Sequence, residues 1–494
     1  MSIFIVVGLF VGVIVTVTSG LIARLRLAGP LAMVIAGIGV SALMDEDLTN
    51  LLYEQSTERA VELILALLLF VDATEVKKGL FGGEPAVAAR LLLIALPLSL
   101  LSAVALGVFL LPATSLAVLV VIACVVVPTD LAPAAQLLHD RRIPARVRRI
   151  LNVESGYNDG IVAPIFVVAL ALVDHNYSED GVWNAIADGV ESTLIAGAVG
   201  IAVGFGGARL ARWAKDRALT TSQGMRIAVV LLPVLAYSGA TVSSANGFIA
   251  AFVCGVTFHA ARNAKTIDAS ELELAEDVAT LSSMAMWFLF GATVSYLVAI
   301  GLPGWQEFAF VLAALTIIRV VPVALSLIGS DLPRPDRQTI ALLGPRGTAS
   351  IVFGLLAWRR ATTIDASDVE LDAGSLVLYV MVATVLGSVL VHGFTAERFG
   401  ARYARRARDV EKTSWISLRA RSTAHFEAKR PIPGVLWRPE QLDHILDVPG
   451  STRDACGDSG EGVAAGLYSE STTFACRNGN AHSPNNHCRR VRFR

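Results

Sequence analysis

The heptapeptide ESGYNDG, residues 154–160, is followed directly by the apolar run IVAPIFVVALALV, residues 161–173. Such a run predicts a helix inside a lipid bilayer, with the acidic residues Glu154 and Asp159 near its start. A carboxylate at the centre of a membrane costs about 2.5 to 3.5 kcal/mol on insertion scales. We therefore expect each of these acids to have a partner or a task, such as binding a cation or a proton.

The composition of the chain is typical of a membrane protein. Of the 494 residues, 54% are hydrophobic and 17% are charged, and the mean hydropathy is +0.60. A water-soluble domain of this size does not carry so apolar a surface. The formal net charge of −1 gives no indication of a nucleic-acid partner. These values predict an all-α polytopic membrane protein that does not bind nucleic acid.

Apolar segments of about 20 residues, the length that crosses the hydrocarbon core, predict thirteen transmembrane helices. They lie near residues 2–20, 29–44, 56–75, 91–111, 115–138, 150–173, 188–207, 225–239, 245–259, 279–299, 305–329, 338–358 and 375–396. The first segment lacks a basic region and a small-residue cleavage site, which favours a retained helix over a removable signal. We predict a transmembrane domain over residues 1–396 and a partly disordered tail over residues 397–494.

Charged residues in the connecting loops predict the orientation of the chain. With the N-terminus outside the cell, nearly all loop Lys and Arg residues fall on the cytoplasmic side, and only Arg359 and Arg360 fall on the outer side. Short cytoplasmic loops of membrane proteins carry an excess of positive charge. We therefore predict a multi-pass protein of the cell membrane with an outer N-terminus and a cytoplasmic C-terminal tail.

Two of the predicted spans contain residues that interrupt a helix. The fifth span includes VVPTDLAPAAQLL, residues 126–138, in which Pro128 and Pro133 flank Thr129 and Asp130. Proline has no backbone N–H and disrupts the regular hydrogen bonds of a helix. An interrupted helix inside a membrane leaves carbonyl groups available for an ion.

The twelfth span contains a second interruption. Its segment LLGPRGTAS, residues 342–350, includes Gly344, Pro345 and Gly347. The fifth and twelfth spans are an odd number of helices apart, so they run in opposite directions across the bilayer. Inverted repeats of transporters have this arrangement, and their broken helices meet at an ion site near the midplane. We therefore expect inverted repeats with two broken helices that cross.

Helical periodicity places the polar residues of ESGYNDG on two faces of one helix. Ser155 and Asp159 are four residues apart and share one face, whereas Glu154 and Asn158 share another. One face can bind an ion while the other binds a structural partner. The sequence thus separates a candidate transport carboxylate, Asp159, from a candidate structural acid, Glu154.

Two arginines lie inside apolar runs, Arg319 in LTIIRVVPV and Arg346 in GPRGT. A buried guanidinium without a counter-charge is strongly unfavourable. Glu154 is the expected counter-charge of one of the two arginines. If Glu154 is engaged in this way, Asp130 and Asp159 are left to bind the transported ion.

A hard monovalent cation is bound through oxygen atoms. The expected ligands are the carboxylates of Asp130 and Asp159, the hydroxyl of Ser155 and the oxygens of Thr129. The same carboxylates bind a proton when the cation leaves, so the two ions compete for one site. With alternating access, this competition amounts to antiport. Neither a cofactor nor an enzymatic activity is expected.

The motifs of this chain resemble those of the monovalent cation/proton antiporter-1 family, which includes NhaP-type antiporters and eukaryotic sodium/hydrogen exchangers, over roughly residues 5 to 395. PTD at residues 128–130 resembles the broken-helix aspartate motif of the family. ESGYNDG resembles its E-S-x-x-N-D-G signature, with Asp159 as the transport carboxylate. Arg319 and the G-x-R-G at residues 344–347 match the two arginines of the family.

The resemblance implies a sodium/proton antiporter fold of 13 helices, with dimerisation helices and a six-helix core that moves in an elevator-like manner within a homodimer. It also implies that Glu154 pairs with Arg319 in preference to Arg346. Asn158 before Asp159 implies electroneutral exchange of one cation, Na⁺ or also Li⁺ or K⁺, for one proton. The sequence TDLAP departs from the usual T-D-P-V, and Gly156 and Tyr157 replace the usual aliphatic pair.

Two other functional classes remain as alternatives. In an intramembrane aspartyl protease, two aspartates on neighbouring helices share a proton and activate water; the contexts P-T-D and Y-N-D-G differ from the Y-D and G-x-G-D of such enzymes. A cation channel would carry repeated rings of acids around a pore. The few acids of this chain favour exchange, with a monovalent cation, a proton and membrane lipid as its partners.

Overall fold

A computed structural model of the protein describes residues 3–24, 29–43, 55–76, 79–134, 142–173, 179–262, 269–300, 304–361 and 373–392, together with residues 401, 403 and 405. All regular elements in these ranges are helical, which confirms the predicted all-α fold. The predicted tail from residue 397 lies outside the described residues, apart from the three single positions.

The helices follow one another along the chain as α1 Ile3–Val17, α2 Ser19–Arg24, α3 Gly29–Leu43, α4 Gln55–Thr74, α5 Pro85–Leu110, α6 Leu116–Val126, α7 Ala145–Val173, α8 Glu179–Asp216, α9 Ser222–Val242, α10 Gly247–Ala261, α11 Glu273–Ile300, α12 Trp305–Ser326, α13 Arg334–Leu342, α14 Thr348–Ala361 and α15 Ala373–His392. Helix α5 contains a π-helical turn at Leu91–Ala95, and α12 is interrupted at Thr316.

Each of the predicted membrane spans overlaps one of these helices. Among the described residues, seven helices are long and apolar enough to cross a bilayer: α5, α7, α8, α9, α11, α12 and α15. Four more helices, α1, α3, α6 and α10, are apolar but shorter. The structure therefore supports a multi-pass membrane protein, while the number of thirteen crossings and the orientation of the termini stay predictions.

Close packing between the helices depends on small residues. Gly200 and Gly204 of α8 lie against backbone atoms of α10, and Gly37 of α3 lies against Gly291 of α11. A side chain at any of these glycines would collide with the neighbouring helix. Because lipid tails are as apolar as leucine, helices in a membrane associate through such close approach rather than through a hydrophobic driving force.

Helix α6 lies in the interior of the fold. Its residues from Val121 to Val126 are almost completely inaccessible, at 1% exposure or less. A helix that is apolar on all sides and buried on all sides belongs to the core of a protein. The polar segment that follows α6, with Thr129 and Asp130, is therefore carried into the interior.

The chain is interrupted at both predicted places, and the two interruptions cross. The first break, residues 127–131, follows α6, and the second break, residues 343–347, separates α13 from α14. At the crossing, the backbone N–H of Asp130 donates to the carbonyl of Pro345 at 2.8 Å. Nε of Arg346 donates to the carbonyl of Val126 at 2.5 Å. The prediction of two crossing broken helices is confirmed.

Candidate functional site

The segment ESGYNDG lies in the middle of α7. This helix begins at Ala145, five residues before the predicted membrane span at residue 150. The basic residues that precede the span therefore belong to the helix as well. Glu154, Asn158 and Asp159 are all buried, with 7%, 2% and 4% of their surfaces exposed. The helix therefore holds three polar side chains inside the protein, next to both breaks.

Two side chains of α7 bind the first break. Nδ2 of Asn158 donates to the carbonyl oxygen of Thr129 at 3.0 Å and to its Oγ1 at 2.7 Å. The Ser155 hydroxyl accepts a hydrogen bond of 3.3 Å from the backbone N–H of Leu131. An interrupted helix needs such partners because its backbone groups lack their usual intrahelical bonds. The side chains of α7 thus fix the position of the first break.

The Asp130 carboxylate connects the two breaks. Its Oδ1 accepts from the N–H of Ala132 at 2.7 Å, and its Oδ2 accepts from the N–H and the hydroxyl of Thr348 at 2.9 and 2.8 Å. Thr348 is the first residue of α14, so the carboxylate binds a helix N-terminus, where negative charge is favourable. Gly347 leaves room for this contact, since a side chain there would overlap the carboxylate.

Glu154 forms a buried ion pair with Arg319 of α12. Nη1 of Arg319 donates to Oε1 of Glu154 at 2.6 Å, and its Nη2 donates to Oε2 at 3.2 Å. Nη2 also donates to the carbonyls of Ile340 and Leu343, at 3.2 and 2.8 Å. A two-pronged contact of this kind is the strong geometry for arginine and carboxylate. Arg319, not Arg346, is thus the arginine that contacts Glu154, and it connects α7 to the second break.

Arg346 donates hydrogen bonds to backbone carbonyls around the breaks. Only 1% of its surface is exposed. Its side chain donates to the carbonyls of Val126, Gly344 and Ala314, at 2.5, 2.7 and 3.3 Å. Val126 is the last residue of α6, whose final carbonyls have no partner within the helix. The guanidinium therefore satisfies carbonyls that the interrupted helices leave open.

Asp159 differs from the other acids of the site. Its Oδ1 is buried and accepts no hydrogen bond from the residues that the structure describes, and the same holds for Oδ1 of Asn158. A buried oxygen without a donor is unfavourable unless a cation or a proton neutralises it. The next residue of α7, Gly160, lies against the ring of Phe252. A side chain at this position would collide with the ring. The arrangement can take up a single positive charge in a closed environment.

The family described as "Sodium/hydrogen exchanger, transmembrane" matches residues 6–401 of the chain. The chain belongs to the sodium/hydrogen exchanger family. This match confirms the resemblance drawn from the motifs at residues 128–130 and 154–160. It also identifies the protein as a member of a transmembrane ion-transport family rather than of an enzyme family.

Solved structures share the fold of this chain. The structure of the sodium proton antiporter MjNhaP1 from Methanocaldococcus jannaschii at pH 8 superposes with a TM-score of 0.66 at 17% sequence identity, covering 81% of this chain and 98% of that chain. An electron microscopy map of the same antiporter gives a TM-score of 0.62 at 16% identity, with the same coverage. At this identity the likeness shows a shared fold.

Two residues near the site were not among the predicted site residues. Thr348 directly follows GPRG, and a hydroxyl residue after a break is a common start of a helix, which could have indicated its role. The second residue is Asp72, near the end of α4. Its carbonyl lies against Gly156 of α7, and its carboxylate is within electrostatic range of Asp130 and Asp159.

Proposed function

We propose that this chain exchanges a monovalent cation, Na⁺ or also Li⁺ or K⁺, for a proton across the cell membrane, and that both ions compete for Asp159. The observation that carries the proposal is the buried Oδ1 of Asp159, which accepts no hydrogen bond from the described residues. Membership of the sodium/hydrogen exchanger family and the fold shared with an antiporter support the same function.

The proposed cation ligands are Asp159, Asp130, Ser155 and Thr129. The hydroxyl oxygens of Ser155 and Thr129 each accept one hydrogen bond, which leaves each a lone pair for a cation. Asp130 accepts two hydrogen bonds at Oδ2 and one at Oδ1, so Oδ1 retains acceptor capacity. The first break would thus contribute ligands while its position is fixed by α7 and α14.

The proposed stoichiometry is one cation for one proton. Among the described residues, the charged side chains that belong to ESGYNDG, lie in a break or form a described hydrogen bond with one are Arg319, Arg346, Glu154, Asp130 and Asp159. Their formal charges leave one negative charge, which one monovalent cation or one proton neutralises. Asn158 adds no charge because its amide is neutral, and this amide donates to Thr129. The resemblance of Asn158–Asp159 to the Asn-Asp of electroneutral family members supports the same stoichiometry.

A further part of the proposal concerns the oligomeric state of the protein and the movement that carries the ions across the membrane. We propose that the chain works as a homodimer, in which dimerisation helices support a six-helix core that moves in an elevator-like manner. The resemblance to the cation/proton antiporters supports this arrangement. The excess of Lys and Arg in the predicted cytoplasmic loops supports an outer N-terminus and a cytoplasmic tail.

The experiment uses the full-length protein in liposomes that contain a pH-sensitive dye. An imposed pH gradient should be dissipated when Na⁺, Li⁺ or K⁺ is added, and a dye for membrane potential should report no charge movement. Asp159→Asn should remove the exchange, whereas Asp188→Asn, which alters an exposed carboxylate on α8, should not. A current in place of electroneutral exchange would indicate a channel, and unchanged exchange by Asp159→Asn would refute the role of that carboxylate.

A further inference from the structure

The second break, residues 343–347, has two hydrogen-bonding edges. On one edge, the carbonyl of Leu343 accepts from Arg319 at 2.8 Å, and the carbonyl of Pro345 accepts from the N–H of Asp130 at 2.8 Å. The backbone of Leu343 is extended, with φ −90° and ψ 97°. In an extended chain, successive backbone groups point to opposite sides. The N–H groups of Gly344 and Arg346 therefore need partners on the other edge.

Two residues of α15 occupy this second edge. The backbone N–H of Arg346 donates to Oγ of Ser388 at 2.7 Å. Nε2 of His392 lies 3.4 Å from the N–H of Gly344 and 3.4 Å from the carbonyl of Leu342. Ser388 and His392 are four residues apart on one helical face, and both are buried, with 0% and 5% of their surfaces exposed.

The hydrogen-bond partners define the roles of the imidazole nitrogens. Nδ1 of His392 lies 2.9 Å from the carbonyl of Ser388. The 2.9 Å contact of Nδ1 with a carbonyl is shorter than the 3.4 Å contact of Nε2 with the carbonyl of Leu342, so we assign the hydrogen to Nδ1; Nε2 then accepts from Gly344. The pair thus provides acceptors for two N–H groups, at residues 344 and 346, that the interruption of the helix leaves without their usual partners.

We infer that Ser388 and His392 are positioning residues of the ion site, which hold the second break so that its opposite edge presents Pro345 to Asp130. The inference rests on the proposed function. Neither residue contacts Asp159 or the first break in a described hydrogen bond, and their effect passes through the backbone of residues 343–347. Groups that orient the ligands of an ion affect binding almost as strongly as the ligands themselves.

The experiment compares Ser388→Ala, His392→Leu and His392→Gln with the wild type in liposomes. The first two variants should raise the KM for the cation by about tenfold, because a displaced break moves Asp130. His392→Gln retains an acceptor for Gly344, so its KM should stay closer to that of the wild type. Thr384→Val is the matched control. It lies one turn earlier on α15, and its buried hydroxyl makes no hydrogen bond with the described residues.

A second measurement does not depend on transport. Hydrogen–deuterium exchange of the backbone amides of Arg346 in Ser388→Ala and of Gly344 in His392→Leu should accelerate, but neither should change in Thr384→Val. A lower melting temperature with unchanged KM and unchanged amide protection would mean that the pair only stabilises the fold, and would overturn the inference. Absence of exchange by the wild type would instead contradict the proposed function, and the amide protection would still test the hydrogen bonds.

Discussion

Thr348 donates two hydrogen bonds to the same carboxylate oxygen of Asp130, from its backbone N–H at 2.9 Å and from its hydroxyl at 2.8 Å. The two residues are 218 positions apart in the chain, and each lies beside one of the two breaks. The acid of the first broken helix therefore caps the helix that follows the second. This contact makes Asp130 a structural link between the breaks as well as a proposed ligand.

The contact predicts that Thr348→Ala destabilises the protein and weakens cation binding together. Loss of a hydrogen bond to a charged group costs about 1.5 to 3 kcal/mol, and the carboxylate loses part of its restraint. The melting temperature of the purified protein and the KM for the cation measure the two effects. Ser350→Ala is the matched control, because the buried Ser350 hydroxyl on the same helix has no hydrogen-bond partner among the described residues. Equal behaviour of the two variants would contradict the prediction.

Asp130 and Asp159, the proposed transport carboxylates, should differ in their effect on stability. Asp159→Asn removes a buried charge without a donor at Oδ1, so exchange should be lost while the melting temperature stays the same or rises. Asp130→Asn places an amide N–H₂ against an N–H donor in either orientation, so exchange and melting temperature should both fall. Thermal unfolding in detergent, measured beside transport, checks the contrast. A lower melting temperature for Asp159→Asn than for Asp130→Asn would contradict it.

The Glu154–Arg319 pair should be important mainly for folding. Glu154→Ala leaves a buried guanidinium without its counter-charge, a change that costs about 3 to 5 kcal/mol. We expect a much lower yield and melting temperature, with reduced exchange as a consequence. The double variant Glu154→Ala with Arg319→Ala should recover part of the stability, because neither charge is then left alone. If the loss of stability in the double variant equals the sum of the losses in Glu154→Ala and Arg319→Ala, the two residues are not coupled.

The sequence predicted the elements of the site better than the contacts between them. Periodicity grouped Asn158 with Glu154 and Ser155 with Asp159, yet Asn158 and Ser155 both bind the first break, because residues three apart on a helix are also neighbours. Hydropathy also placed the start of α7 at residue 150, since it does not detect the basic helical turns before the apolar run. The acceptors of Arg346 were not predictable, because they depend on how distant segments cross.

The Asn158 contact predicts the result of making this position acidic. Asn158→Asp cannot donate to the carbonyl of Thr129, and it adds a second negative charge beside Asp159. We expect a higher KM for the cation and a lower melting temperature, since the first break loses a restraint and like charges repel. Transport assays over a range of cation concentrations check the first effect. An unchanged KM with intact stability would mean that the amide donors do not hold the first break.

The last prediction concerns Gly347, where a side chain would overlap the Asp130 carboxylate. Gly347→Ala should push that carboxylate away from Thr348 and abolish exchange, although alanine is ordinarily the better helix-forming residue. Gly197→Ala is the matched control, because a methyl group there, on α8, meets no atom within 4 Å. The control should keep its exchange rate and gain slightly in stability, since glycine inside a helix costs about 0.5 to 1 kcal/mol relative to alanine. Exchange by Gly347→Ala at the rate of the control would show that the breaks can separate without loss of function.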